Sequence, residues 1–323
     1  MLFRSGAIVV PMANEENSAA IVDNAATVVV GKRKVLELMA VALLAEGHPL
    51  LEDVPGLGKT LMAKALARSM GGSFRRIQFT PDLLPSDVTG FSVYDQKSGT
   101  FVFHPGPVMA NVLLADEINR TIPRTQSSLL ESMGEFQVTV DSSTMALPKP
   151  FFVIATQNPI EMDGTFPLPE AQLDRFLLRI DLGYPDREEE LAILERFGAS
   201  DPLESLEAVA NPATIVGLQE RRRTILVSQP VRGYIADLVG ATRKHPLVRY
   251  GASPRASLGL LKASQALALL RGREYVLPDD IQELALPVLA HRIILRPEAR
   301  AKGGTAKAVA QEILEKLPAP SPA

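Results

Sequence analysis

The chain contains no cysteine. Disulfides, thiolate zinc sites and cysteine nucleophiles are therefore excluded, and the composition suits a reducing compartment, so a cytoplasmic location is expected. Histidine is scarce as well: His48, His104, His245 and His291 are scattered without ligand spacing, which favours core or surface roles over metal ligation. No apolar run approaches the length of a membrane span, and no integral membrane segment is expected. Charge of one sign is also missing. With 34 Lys and Arg against 37 Asp and Glu the net charge is −3, which offers no overall attraction to nucleic acid, and no nucleic-acid partner is expected. The short basic runs Arg75-Arg76 and Arg221-Arg222-Arg223 read as solvated faces. The opening Met1 to Pro11 has too brief an apolar patch for a signal peptide, and the polar run from Ala13 predicts a translation start at Met12.

What is present is a globular composition, 46% hydrophobic and 22% charged, over 323 residues, enough for one large or two modest domains. The stretch that organises it is Leu50-Leu51-Glu52-Asp53-Val54-Pro55-Gly56-Leu57-Gly58-Lys59-Thr60. Two apolar residues end a short strand, a Gly- and Pro-rich turn follows, and Leu61 to Met70 read as a helix closed by Gly71-Gly72. Such a turn aims successive N–H groups into one concavity beside the positive end of a helix, where a polyphosphate can settle. Pro55, Gly56, Leu57, Gly58, Lys59, Thr60 and Leu61 are the expected nucleotide-binding loop: Lys59 would reach the β and γ phosphates, and the Thr60 hydroxyl would take one position on Mg²⁺. The strict pattern has Gly where this chain has Asp53, so the generic motif is matched from Gly58 onward.

Taken in order, Ile21 to Val30 leads to Gly31, and Val35, Leu36, Leu38, Met39, Ala42 and Leu43 recur at helical spacing up to Gly47. Arg76 to Phe79 alternates and reads as a strand. Pro81 to Val108 is rich in breakers, with two short strands expected at Phe91 to Tyr94 and Thr100 to Phe103 around Gly99. Val112 to Ala115 and Phe151 to Ala155 are apolar without alternation, as central strands of a parallel sheet are, and Leu177 to Leu182 can supply another. Beyond Tyr184-Pro185 no convincing buried strand follows. Asp186 with Glu189 predicts a capping box on a helix with Leu191, Leu194 and Phe197 inward, and later helices read from Val231, Ser253 and Asp279. Ser253-Pro254 predicts a cap, with Leu258, Leu261, Ala266, Leu269 and Leu270 on the apolar side. The boundary expected near residue 184 gives a flexible tail (1–20), a nucleotide-binding core (21–184) and a helical domain (185–323) that ends in a loose Pro-rich tail from Pro318.

Four polar sites carry the expected chemistry. Asp116-Glu117 ends a buried strand, where Asp116 would hold Mg²⁺ and Glu117 would orient and polarise an attacking water; adjacent acids can also simply solubilise a strand end. Asn158 ends the next strand and could bond the γ-phosphate or the water, or be a turn Asn before Pro159. Arg175 is either one half of a surface pair with Asp174 or an arginine finger across a subunit boundary. Arg255 stands in a helical first turn, where the dipole does not favour a cation, which hints at a phosphate nearby.

Five blocks in order, Gly47 to Thr60, Gly106-Pro107 leading to Leu114 through Arg120, Ala155 to Pro159, Pro169 to Phe176, and Gly251 to Arg255 with His291-Arg292, resemble the MoxR family of AAA+ ATPases. Members of that family often carry Asp at the position of Asp53. The resemblance implies an α/β P-loop NTPase core with a five-stranded parallel sheet followed by a small α-helical lid, with Pro81 to Val108 and Met133 to Lys149 as two insertions. It implies ATP and Mg²⁺ as ligands, Thr60 and Asp116 as metal-side residues, and Glu117, Asn158, Arg175 and Arg255 as the catalytic set. Arg175 would act on a neighbour's nucleotide in a ring expected to be hexameric, while for Arg255 the choice between its own subunit and the next stays open. Client proteins, with von Willebrand factor A domain proteins as usual partners, belong to the same expectation. The resulting reading is an ATP-hydrolysing remodelling chaperone; the alternatives are a nucleic-acid-dependent motor and a nucleotide-gated scaffold without turnover.

Overall fold

The computed structural model describes residues 17–52, 56–141, 143–158, 164–198 and 201–320. The Met12 start, most of the expected N-terminal tail, Asp53, Pro55 and residues 321–323 of the C-terminal tail lie outside them. Ser18 and Ala20, at the end of the expected tail, are buried: the Ser18 hydroxyl donates to the Leu269 carbonyl at 2.7 Å, and Ala20 opens the first helix.

Helices α1 (Ala20–Ala26) and α2 (Arg33–Leu44) precede β1 (Pro49–Glu52), α3 (Lys59–Ser69) and β2 (Phe74–Gln78). The first insertion holds α4 (Pro85–Thr89) and an antiparallel hairpin, β3 (Gly90–Asp95) with β4 (Thr100–Pro105). Then come β5 (Val112–Asp116), α5 (Pro123–Glu135), a second hairpin of β6 (Gln137–Val140) and β7 (Ser143–Ala146), β8 (Phe152–Gln157), α6 (Glu170–Leu173) and β9 (Leu178–Asp181). The remainder is α7 (Arg187–Phe197), α8 (Pro212–Arg222), α9 (Gln229–Lys244), β10 (Val248–Tyr250), α10 (Pro254–Leu270), α11 (Pro278–Leu289), β11 (Ile294–Leu295), α12 (Pro297–Ala301) and α13 (Ala306–Lys316).

Five strands form one parallel sheet in the order β2-β5-β8-β1-β9. The unalternating runs are its buried middle, and β2, which alternates, is an edge. Successive side chains still divide between two apolar cores, because a strand points neighbours to opposite faces. Leu50, Leu113 and Val153 join the core under α5, whereas Leu51, Leu114 and Ile154 join a larger one that runs through α2 into α9, α10 and α11. The C-terminal helices therefore share one continuous apolar interior with the sheet.

His48, just before β1, is a buried strut. Its Nδ1 accepts the Val153 N–H at 3.1 Å, which leaves the proton on Nε2, 3.3 Å from the Met133 carbonyl at the end of α5. Burial pushes its pKa down to about 4, with the Met133 carbonyl opposing.

Several expectations for the helical part are corrected. The Asp186–Glu189 capping box forms, but α7 buries none of its side chains; Leu191, Leu194 and Phe197 are exposed, Leu194 by 70%, because no described element covers that face. Leu258 is 58% exposed, since its side of α10 borders an open pocket. Pro254 does open α10, yet the Ser253 hydroxyl donates to Asp174 instead of capping. Arg222 is not part of a solvated face: it is 3% exposed and pairs with Glu46 at 2.9 Å. Helices α8, α12 and α13, and the two-stranded β10–β11 sheet, go beyond what the apolar spacing predicted.

Candidate functional site

Gly56 and Gly58 have φ of +86° and +79°, the left-handed region that favours glycine, and Gly58 delivers the chain directly into α3 at Lys59. A Cβ at either glycine would meet no atom within 4 Å, so their requirement is conformational rather than steric. Gly56, Gly58, Lys59 and Thr60 line a pocket of about 270 Å³ together with Asp116, Glu117, Thr156 and Asn158. Parallel register brings these groups together at the carboxyl edge of the sheet: Leu51 lies opposite Thr156, and Gln78 opposite Asp116.

The carboxylates are firmly held. Asp116 Oδ1 accepts the Thr156 hydroxyl at 2.6 Å, and its Oδ2 accepts Arg76 at 2.6 Å. Glu117 occupies the left-handed region, with φ +57°, where a residue without glycine's freedom is strained. Its N–H donates to Thr156 Oγ1 at 2.8 Å, and its Oε2 accepts Gln78 at 2.6 Å and Arg120 at 3.0 Å. The buried Asn158 completes the wall, its carbonyl accepting from Asn119 at 3.3 Å. A concavity bounded by a helix N-terminus, a lysine, a hydroxyl and two carboxylates fits a nucleotide polyphosphate with a hard divalent cation.

Gln78, Thr156 and Arg120 are not singled out as site residues by the sequence, and Arg76, expected on a solvated face, is instead paired with Asp116 in the site. Arg76 and Gln78 are alternate residues of β2, so they share the face that meets the end of β5. The polar i, i+2 pair on a strand beside Asp116 was the signal available.

Arg175 and Arg255 are brought together, but elsewhere. They line a second pocket of about 270 Å³ with Gly47, His48, Gly134 and Lys262 at the amino edge of β1 and β9, and it shares no residue with the first. Four residues of β1 separate the two edges, roughly 13 Å of strand. Asp174 and Arg175 do not pair. Arg175 Nη1 donates to the Leu130 carbonyl at 2.6 Å, whereas Asp174 accepts Arg292 at 2.7 Å and Ser253 at 3.2 Å and lies 3.9 Å from Arg255. Arg255 thus lines a different pocket from the one formed by the phosphate loop of its own chain. Burial lowers the Arg292 pKa, with Asp174 opposing, and Arg292 also donates to the carbonyls of Phe176 and Leu177, tying the 3-10 turn after α11 to the segment that carries Arg175. Gly259 permits the approach of α10, since its Cβ would lie 3.1 Å from Leu177. A larger cavity of about 380 Å³ between β9, α11 and α13 contains none of the expected site residues.

Residues 48–178 match the ATPase family associated with various cellular activities (AAA), and residues 240–313 match the AAA lid domain. The chain is 54% identical to the uncharacterized YeaC protein of Bacillus subtilis, over 91% of this chain and 92% of that protein. It is 44% identical to chaperone MoxR1 of Mycobacterium tuberculosis, over 91% of this chain and 80% of the relative. A crystal structure from Cytophaga hutchinsonii, 41% identical, superposes with a TM-score of 0.87 over 93% of this chain and 94% of its own. With this sheet, this loop and these relatives, the chain belongs to the MoxR family of AAA+ ATPases.

Proposed function

We propose that the chain hydrolyses ATP at sites shared between neighbouring copies in a ring, with six as the expected number, and uses the cycle to remodel or assemble client proteins. The observation that carries this reading is the separation of the basic pair from the phosphate loop: Arg175 and Arg255 line one edge of the sheet, and Lys59, Asp116 and Glu117 line the other. Arginines that cannot reach their own chain's nucleotide serve the next chain's, so both act in trans in this proposal. Residues 21–184 form the nucleotide core and 185–323 the lid.

Lys59 and the backbone of 56–60 bind the phosphates, and Thr60 and Asp116 would hold Mg²⁺, which would supply neutralisation of the phosphate charge. Glu117 orients and polarises the attacking water, for which its hydrogen bonds to Gln78 and Arg120 must rearrange. Asn158 holds the water or the γ-phosphate. Arg175 of the adjoining copy offsets the charge that develops on the transferred group, a role worth roughly 10³ to 10⁵ in rate in related chemistry. The exposed Phe91, Tyr94 and Phe101 on the first hairpin are the client-facing surface in this reading, and von Willebrand factor A domain proteins are the first partners to try.

The test is ATP turnover across a dilution series for wild type, Glu117→Gln, Arg175→Ala and an equal mixture of the two variants. Rates per chain that rise with concentration, vanish in each variant and return in part in the mixture support the shared site. Turnover that is independent of concentration and indifferent to Arg175 refutes it.

A further inference from the structure

One face of α5 touches both edges of the sheet. Gln126, Leu130 and Gly134 are spaced i, i+4, i+8, so they form a single stripe about 12 Å long. At one end the buried Gln126 amide lies within hydrogen-bond distance of three carbonyls, Ile118 at 3.1 Å, Thr121 at 3.1 Å and Phe166 at 2.8 Å. Ile118 and Thr121 bracket the 3-10 turn that begins directly after Glu117. The Gln126 oxygen has no partner, so the amide cannot be reversed without setting an oxygen against those carbonyls.

At the other end the stripe is the seat of Arg175. The guanidinium donates to the Leu130 carbonyl, and a Cβ at position 134 would stand 3.1 Å from Arg175 Nη1. Glycine inside a helix costs roughly 1 kcal/mol against alanine, and Gly134 is exposed with no positive φ to justify it. Clearance for the guanidinium is the reason the structure offers.

We propose that α5 sets Arg175 in register with the Glu117 turn of the same chain, with Gln126 and Gly134 as positioning residues for hydrolysis at two different nucleotides. Gly134 serves only the neighbour's nucleotide, through Arg175. Gln126 serves both, because it holds the turn carrying Glu117 as well as the helix that seats Arg175. This inference rests on the shared-site reading, and the control below separates the two.

The test adds Gly134→Val and Gln126→Met to the mixing experiment, with ADP binding measured for each. Valine is a better helix former than glycine at an exposed position, so the fold is not endangered. Gly134→Val alone should lose at least tenfold in turnover with ADP binding unchanged. Mixed equally with Glu117→Gln it should recover to about a quarter of the wild-type rate, the fraction of random junctions that pair an intact site with an intact finger. Mixed with Arg175→Ala it should not recover. Gln126→Met should bind ADP normally and recover with neither partner. Wild-type turnover in Gly134→Val, its failure to recover with Glu117→Gln, recovery of Gln126→Met with Glu117→Gln, or lost ADP binding in either variant overturns the inference. If the control mixture of Glu117→Gln with Arg175→Ala stays inactive, it is the shared-site reading that falls.

Discussion

Acid should loosen this protein through His48 in a way that can be isolated from every other titrating group. Its ring is buried, takes the Val153 N–H on Nδ1, and has a pKa lowered by burial from 6.5 to about 4. Between these two values the unfolded chain binds a proton at His48 and the folded chain does not, so stability rises with pH and is lost as pH falls below 6.5. The slope is about 1.4 kcal/mol per pH unit in that window, reaching about 3.4 kcal/mol in full and about 2 kcal/mol between pH 7 and pH 5. His291, whose pKa burial and the neighbouring Arg292 hold well below the usual value, acts in the same direction and cancels when wild type is compared with His48→Gln. Urea unfolding of both proteins at pH 7, 6 and 5 gives the comparison. Wild type should lose about 2 kcal/mol more than the variant across that range. Equal slopes would refute the claim that His48 is held neutral between β8 and α5.

Two further substitutions test corrected expectations. Glu46→Ala leaves Arg222 buried without its carboxylate and should cost about 3 kcal/mol in urea unfolding, the low end for a broken buried pair because Glu46 is itself part exposed; a loss below about 1 kcal/mol would mean the guanidinium reaches water. Leu194→Gln should change monomer stability by less than about 0.5 kcal/mol, since that side chain is already in solvent. A loss near 2 kcal/mol by the same assay would mean that α7 is covered.

The core strands were legible because their signals are local. Unbroken apolar runs at 112–115 and 151–155 became the buried β5 and β8, and the breaker-rich 81–108 became a hairpin insertion. The capping box at Asp186 was also read correctly, since it needs only four consecutive residues. What failed was the inference from an apolar spacing to a covered face. Leu191, Leu194 and Phe197 have the periodicity of an inward stripe, but periodicity states that residues share a side and not that anything lies against it. Arg222 failed in the opposite sense: three consecutive arginines look solvated until a helix end 176 positions away supplies a carboxylate.

The sequence by itself determined the glycines of the phosphate loop, the order of the strands along the chain and the acidic pair at the end of β5, because backbone conformation, strand period and motif spacing all act within a few residues. Only the tertiary structure decided the rest. The register of β2 on β5 put Arg76 and Gln78 beside the acids, and the packing of the turn after α11 on the 174–177 segment put Arg175 next to Arg255. These outcomes depend on which distant surfaces bury one another. That choice belongs to the whole core, and it is why two groups of expected site residues, joined as one list in the sequence, stand on opposite edges of a single sheet.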